Sequence, residues 1–361
     1  MSLMSAAPGR PADVAPRFRA RAVDQGGIPA VELVDLRGGT RAVFARQGAT
    51  LLDWRVMHGG ESVALTDGYA TAAELADQDG VRNGLLAPFP NRVADGRYRF
   101  EGREHDLLPG AVGARRIYHG FLRELDLAIA RAQDGDDEAS VLFTGAVEPD
   151  AFAGYPFALA LAVQATLGTR GIVLVVTATN VGESTAPYAC GWHPYFRLGD
   201  ADLANLELTV PARRCIVTDE ALIPLPGAAA FAAVAGRPTL DFRRARPLGA
   251  AVLDRCYADA IPDADGLIRS RLRDPATGRA LTVWQRGGLI HVFTGDTLAR
   301  DARRAIAIEP VEAMTDAFNR TEFADLLRLP PGASRSFACG AEFRAEPAAH
   351  RFPTPAAAAT A

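Results

Sequence analysis

The stretch Phe157–Asn180, FALALAVQATL-GTRG-IVLVVTATN, decides the architecture. Two apolar runs rich in Leu, Val, Ile and Thr flank the turn Gly168-Thr169-Arg170-Gly171. Such runs around a glycine-bounded turn read as a β-hairpin, because branched side chains suit a pleated surface and glycine lets the chain reverse. Shorter runs of the same kind precede it at Val31–Leu36, Arg41–Arg46, Thr50–Val56, Leu125–Ala130 and Ser140–Ala146. Others follow at Leu206–Val210, Leu281–Trp284, Leu289–Thr294, Ala305–Glu309 and Ser336–Arg344. Helical signals are confined to Thr71–Ala76 and to Thr321–Leu327, with Asn319 as a candidate cap. No regular alternation of strand and helix is visible, which argues against a TIM barrel or a Rossmann sheet. The expected fold is all-β: a large antiparallel sandwich with few short helices.

One domain is expected over residues 21–345, between loose tails at 1–20 (rich in Pro, Ala and Arg) and 346–361 (rich in Pro and Ala). The first twenty residues hold no apolar stretch of signal-peptide type, and no uncharged run approaches transmembrane length. A cytoplasmic protein without a membrane partner is therefore expected, as a monomer or homodimer. The net charge of -4 and the absence of long like-charge runs argue against a nucleic-acid partner. There is no lysine; all 39 basic residues are arginine. That excludes Schiff-base aldolase chemistry, pyridoxal phosphate chemistry and a P-loop, each of which requires a lysine. Cys190, Cys215, Cys256 and Cys339 are scattered and form no C-x-x-C pair, so they read as small buried hydrophobes.

Four segments could carry chemistry. In Ala87-Pro-Phe-Pro-Asn-Arg-Val93, two prolines stiffen the backbone before Asn91 and Arg92. An amide and a guanidinium fork suit sugar hydroxyls, although an arginine salt bridge stapling a loop would leave the same trace. In Tyr118-His-Gly-Phe121, His119 precedes a glycine and is either structural or functional. In Cys190-Gly-Trp-His-Pro-Tyr-Phe196, Pro194 extends the backbone at His193, and Trp192, Tyr195 and Phe196 surround it. Aromatic faces can stack on a pyranose while an imidazole handles a proton; an aromatic core cluster is the structural alternative. In Ala305-Ile-Ala-Ile-Glu-Pro310, Glu309 ends an apolar strand and Pro310 is expected to stop its ladder. A carboxylate so placed suits a base or a buried ion pair. Asp254 beside Arg255 reads more simply as a surface ion pair, and His291, on one face with Leu289 and Phe293, as a core histidine. No histidine shows the short spacing of a zinc motif, so no metal is expected.

Taken in order, these segments resemble the aldose 1-epimerase (galactose mutarotase) family. The matching pieces are Asn91-Arg-Val-Ala-Asp-Gly-Arg-Tyr98, His119-Gly-Phe121, His193-Pro-Tyr-Phe196, Asp254, Phe293-Thr-Gly-Asp296 and Glu309-Pro310 with Asp316-Ala-Phe-Asn319. Together they span residues from about 30 to 345. The resemblance implies a β-supersandwich, no cofactor, Glu309 as general base and His193 as general acid. It places Asn91, Arg92, His119, Tyr195 and Asp254 around the hydroxyls of a monosaccharide, an aldohexose. One position departs: where His291 stands, galactose mutarotases often carry glutamine; both can hydrogen-bond a sugar hydroxyl, so His291 joins the substrate-binding set, but only histidine can charge.

The implied reaction interconverts the α and β anomers of a free aldose by opening its ring. It requires His193 protonated and Glu309 ionised in the free protein, with a gap between them that fits a pyranose carbon and its two oxygens. The rivals are a hexose-6-phosphate 1-epimerase of the same fold, a carbohydrate-binding protein without catalysis, and a glycoside hydrolase, which needs a second positioned carboxylate.

Overall fold

The computed structural model describes residues 15–345. Five strands open the chain as an antiparallel meander: β1 (Phe18–Gln25), β2 (Ile28–Asp35), β3 (Arg41–Ala45), β4 (Leu51–His58) and β5 (Glu61–Ala64). A nine-stranded sheet follows in the order β19 (Arg246–Pro247), β16 (Glu207–Thr209), β21 (Ile268–Arg273), β22 (Arg279–Gln285), β26 (Ser334–Ala345), β12 (Gly171–Asn180), β11 (Leu159–Gly168), β10 (Glu138–Val147) and β9 (Ala128–Gln133). The hairpin read from the sequence is its β11–β12 pair, with Val163 opposite Val176. An eight-stranded sheet runs β18 (Phe231–Ala233), β17 (Ala212–Ile216), β20 (Asp254–Ala260), β23 (Leu289–Phe293), β24 (Ile306–Val311), β14 (Gly191–Trp192) and β6 (Leu85–Leu86), and β15 (Tyr195–Phe196) also pairs with β24. Two short ribbons complete it, β7 (Arg97–Phe100) with β8 (Arg103–Asp106) and β13 (Ala186–Pro187) with β25 (Arg328–Leu329). These ladders are antiparallel.

The sheets share one core. Leu33, Phe44 and Trp54 of the meander meet Leu161, Val163, Leu174 and Val176 of the nine-stranded sheet and Ile290, Val292, Ile306 and Ile308 of the eight-stranded sheet. Side chains alternate between the faces of a strand. With Ile290, Val292, Ile306 and Ile308 turned to the core, His291, Phe293, Ala307 and Glu309 are turned to the other face. That face carries the site.

Several expectations change. Residues 1–14 and 346–361, expected as tails, lie outside the described residues, but β1 already begins at Phe18, inside the segment expected to be loose. Arg17 ties it to Asp35 at 2.7 Å, and Phe18 is buried. Pro310 does not stop its ladder: β24 continues to Val311, with Pro310 opposite Ile290. β9 begins at Ala128, three residues beyond the expected start at Leu125. The first helix is α1 (Ala72–Asp77), with Thr71 as its N-cap. The Glu74 N–H donates to Thr71 Oγ1 at 3.3 Å, and the Ala70 N–H donates to Glu74 Oε2 at 2.9 Å. The second is a 3₁₀ turn at Thr321–Phe323 running into α2 (Ala324–Leu327). Asn319 does not cap it; its amide donates instead to the Arg97 carbonyl and to Asp316. Among the described residues, no helix is long and apolar enough to cross a membrane.

Leu174 is buried at the middle of the hairpin, between Ala165 and Cys339 on the neighbouring strands. Leu174→Ala should lower unfolding stability by about 2–5 kcal/mol, the usual cost of a large-to-small change in a packed core. Thr177→Ala, on the partly exposed face of the same strand, should change it by less than about 1 kcal/mol. Urea unfolding of the two variants checks the contrast.

Candidate active site

Register places the central groups. His291 is directly opposite Glu309 in the β23–β24 pair. On the other side of β24, Tyr195 pairs with Ala307 and Gly191 with Val311, which carries His193 to the place opposite Glu309. Here the ladder is interrupted, because Pro194 and Pro310 both lack an N–H. Glu309 thus stands between two histidines on one sheet face. His193 Nε2 lies 3.4 Å from Glu309 Oε1. The expected gap for a sugar carbon between carboxylate and imidazole is therefore absent; the two groups nearly touch, at more than an ordinary hydrogen-bond length.

The segment that holds His193 is fixed by a buried residue that motif reading missed. Asn83 accepts the Tyr195 N–H on Oδ1 at 2.8 Å and donates from Nδ2 to the Leu51 carbonyl at 2.8 Å. Its carbonyl accepts from Trp192 Nε1 at 3.2 Å, and its N–H donates to the His193 carbonyl at 3.0 Å. The Asn83-Gly84 dipeptide was the available signal, since Asn-Gly marks a special backbone turn; Asn83 has φ 58°.

A second pair of segments meets at the cavity wall. The His119 N–H donates to the Asn91 carbonyl at 2.8 Å, and the Asn91 N–H donates to His119 Nδ1 at 3.3 Å. Both residues have left-handed backbone, φ 56° for Asn91 and 69° for His119, a conformation that costs a non-glycine residue of order 1–3 kcal/mol. Arg92 Nη1 donates to Asn91 Oδ1 at 2.9 Å. The His119 and His193 rings meet edge to face, with centroids 5.0 Å apart.

All eight residues singled out from the sequence line one cavity of about 210 Å³: Asn91, Arg92, His119, His193, Tyr195, Asp254, His291 and Glu309. Asp79, Gly80, Val81, Tyr118, Phe293, Thr297 and Leu298 complete the wall. Tyr195 lines it differently from expectation: its hydroxyl donates to the Gly80 carbonyl at 2.9 Å, and its ring stacks on His193. Buried Arg82, paired with Asp67 at 2.5 Å, also sits over that ring. Asp254 makes no surface pair with Arg255. Its Oδ1 is 2.8 Å from His291 Nε2, while Arg255 donates to the Ile216 carbonyl. Nor is His291 a plain core residue, since it faces the cavity.

The three histidines differ in charge. Burial pushes His119 well below the usual histidine range, reinforced by His193 and nearby arginines. Burial also lowers His193, outweighing the upward pull of Glu309, and His291 adds to the lowering. His291 is the opposite case. Burial alone would lower it, but the Glu309 and Asp254 carboxylates raise it well above its ordinary value. Burial would raise Asp254, yet the hydrogen bond and charge of His291 hold it at about 2. The directions run against the expectation of a readily protonated His193 and favour the charged form at His291. Among the described residues, no group of three or more His, Cys, Asp or Glu is arranged to hold a metal ion.

Sheet order, core and cavity together define a galactose mutarotase-like β-supersandwich. Residues 32–341 match the family model described as aldose 1-epimerase, and the chain belongs to that family. A solved GalM/aldose epimerase homologue from C. elegans has a TM-score of 0.76 at 20% identity, covering 90% of this chain and 99% of that one. A galactose 1-epimerase from Lactobacillus acidophilus has a TM-score of 0.74 at 18% identity, covering 91% and 99%. In sequence, the uncharacterized protein YihR of Escherichia coli K12 is 27% identical over 249 residues, 69% of this chain and 74% of that protein.

Gly120 allows the two wall segments to meet. It has φ 62°, and a Cβ there would lie 2.2 Å from the Ala87 carbonyl oxygen. Gly120→Ala should therefore cost more than the roughly 1 kcal/mol of an unclashed glycine-to-alanine change at positive φ. A thermal melt showing an unchanged midpoint would contradict this account of the contact.

Proposed function

We propose that this protein is an aldose 1-epimerase acting on a free aldohexose, with Glu309 as base and His193 as acid. The observation that carries the reading is the row His193–Glu309–His291 on one sheet face, opening on a cavity walled by Asn91, Arg92 and His119. Membership of the family supports it. Glu309 takes the proton of the C1 hydroxyl, and His193 delivers a proton to the ring oxygen. The C1–O5 bond breaks to give the open-chain aldehyde. Rotation about C1–C2 presents the other carbonyl face, and the two transfers reverse. Asn91, Arg92 and His119 donate to sugar oxygens.

The rival readings fit less well. A hydrolase of the two-carboxylate type needs one carboxyl group protonated. Asp254 shares the cavity with Glu309, but its carboxylate is engaged by His291 Nε2 at 2.8 Å rather than free to attack a sugar or activate a water. A sugar phosphate calls for converging arginines, and Arg92 is the one arginine among the described residues lining the cavity. The deciding experiment is optical rotation of freshly dissolved α-aldoses with and without the protein; rates equal to the spontaneous ones for every aldose would end the proposal.

Glu309→Gln keeps the shape and removes the base, so it should reduce kcat by about 10²–10⁴ while sugar binding, measured by calorimetry, persists. The double variant with His193→Asn should be scarcely slower than the more impaired single variant, because the two act as a unit. Arg92→Lys keeps the charge but loses the fork, and should raise KM; wild-type kinetics would remove Arg92 from the binding set.

The pH dependence follows from His193. Its folded value lies below the ordinary 6.5, so the protonated form is scarce at neutral pH and grows as pH falls. On the alkaline side, kcat/KM should decline with a midpoint below 6.5. A plateau extending unbroken to pH 8 would show that His193 is not the titrating acid.

A further inference from the structure

The departure at His291 has a structural counterpart. Its Nε2 is 2.8 Å from Asp254 Oδ1, and its ring lies directly opposite Glu309 in an antiparallel pair, where side chains stand about 5 Å apart. The ring is buried, with 8% of the residue exposed. Asp254 and Cys256 face it from β20, Glu309 from β24, and His193 from the segment between β14 and β15; His119 and Arg92 stand farther along the wall. Two carboxylates thus bracket one imidazole. His193 is in contact with Glu309 and only more weakly under the influence of Asp254, and its Nδ1 is buried without a hydrogen-bond partner among the described residues. A single proton offered to these two rings is better held by His291.

We propose that His291 is a positioning residue for the acid–base pair: clamped by Asp254 and standing opposite Glu309, it is a fixed cation that makes His193 a stronger acid, which delivers its proton from the fraction already protonated in the free protein. This rests on the epimerase reading for its kinetic consequence, though not for the charge assignment itself. The direction of the shifts agrees, with His291 raised and His193 lowered in part by His291. A glutamine in this place could donate to Asp254 but could not supply the charge. The chemical result is a working range displaced to lower pH than a glutamine site would have.

The test compares the wild type with His291→Gln, which keeps the donor to Asp254. The alkaline limb of kcat/KM should move up, by at most about one pH unit, because the like charge removed stands across β24 from His193 in a buried site. A profile that superimposes on the wild type, or a uniform loss of kcat at every pH without a shift, overturns the proposal. A second readout needs no turnover. Titration of the histidine ring resonances by NMR, assigned by their loss in His291→Gln and His193→Asn, should show His291 charged and His193 neutral at pH 7. The His193 resonance should then titrate at higher pH in His291→Gln. A neutral His291 at pH 7, or an unmoved His193, sinks the idea even if the wild type proves inactive on aldoses. In that event the failed mutarotation would count against the epimerase reading alone.

Discussion

The site depends on one interrupted ladder. β24 is paired along its length with β23, but on its other edge the chain from Gly191 to Phe196 pairs only at its ends, as β14 and β15. Pro194 and Pro310 remove the donors between them. A strand edge left open in the interior would be costly, because buried backbone groups need partners. Asn83 supplies several of them, holding the Trp192 ring, the Tyr195 N–H and the His193 carbonyl at once. The result is a stretch with strand register but without a strand's full hydrogen bonding. That is how His193 comes to face Glu309 from a rigid frame.

The charges around Glu309 obey the rule that buried ions come in pairs. Asp254 is matched by His291 and Asp67 by Arg82, and Arg82 in turn backs the ring of Tyr195. Removing one partner from such a pair leaves a buried ion uncompensated, so the pairs constrain one another. The left-handed backbone at Asn91 and His119 is a further cost, offset by the mutual hydrogen bonds of those two residues. Both point to a site held in place by the fold rather than assembled by a flexible loop.

The hairpin Phe157–Asn180 was legible because its two runs are long, apolar and rich in branched residues and its turn is bounded by glycine. All eight cavity residues were legible as types, and their grouping only through the family resemblance: His193, Glu309 and His291 meet through sheet register, which local pattern does not encode. The strands that escaped are instructive. β21, Ile268–Arg273, reads IRSRLR, and β1 begins FRAR. Their apolar residues alternate as a strand requires, but arginine on the outer face masks the pattern. Those arginines are paired across the surface, Arg269 with Asp265 and Arg21 with Glu32, so the solvent face is stabilised without apolar residues. The ion pair expected between Asp254 and Arg255 failed for a related reason. Adjacent residues on a strand point to opposite faces, so a carboxylate on the cavity side cannot use the arginine next to it and must find a partner on the neighbouring strand.

That last constraint explains why His291 matters to the chemistry proposed here. β20 brings Asp254 to the cavity face, and the nearest side chain able to satisfy it lies on β23. Whatever occupies position 291 must donate to Asp254 and also stand opposite Glu309. A neutral donor would meet the first requirement and leave the base with a single imidazole neighbour. A histidine meets both, and with two carboxylates beside it the proton stays on its ring. The same placement that satisfies Asp254 therefore sets the proposed positive charge across β24 from His193, the proposed acid. Local strand geometry, through one side chain, reaches into the protonation state of the reacting pair.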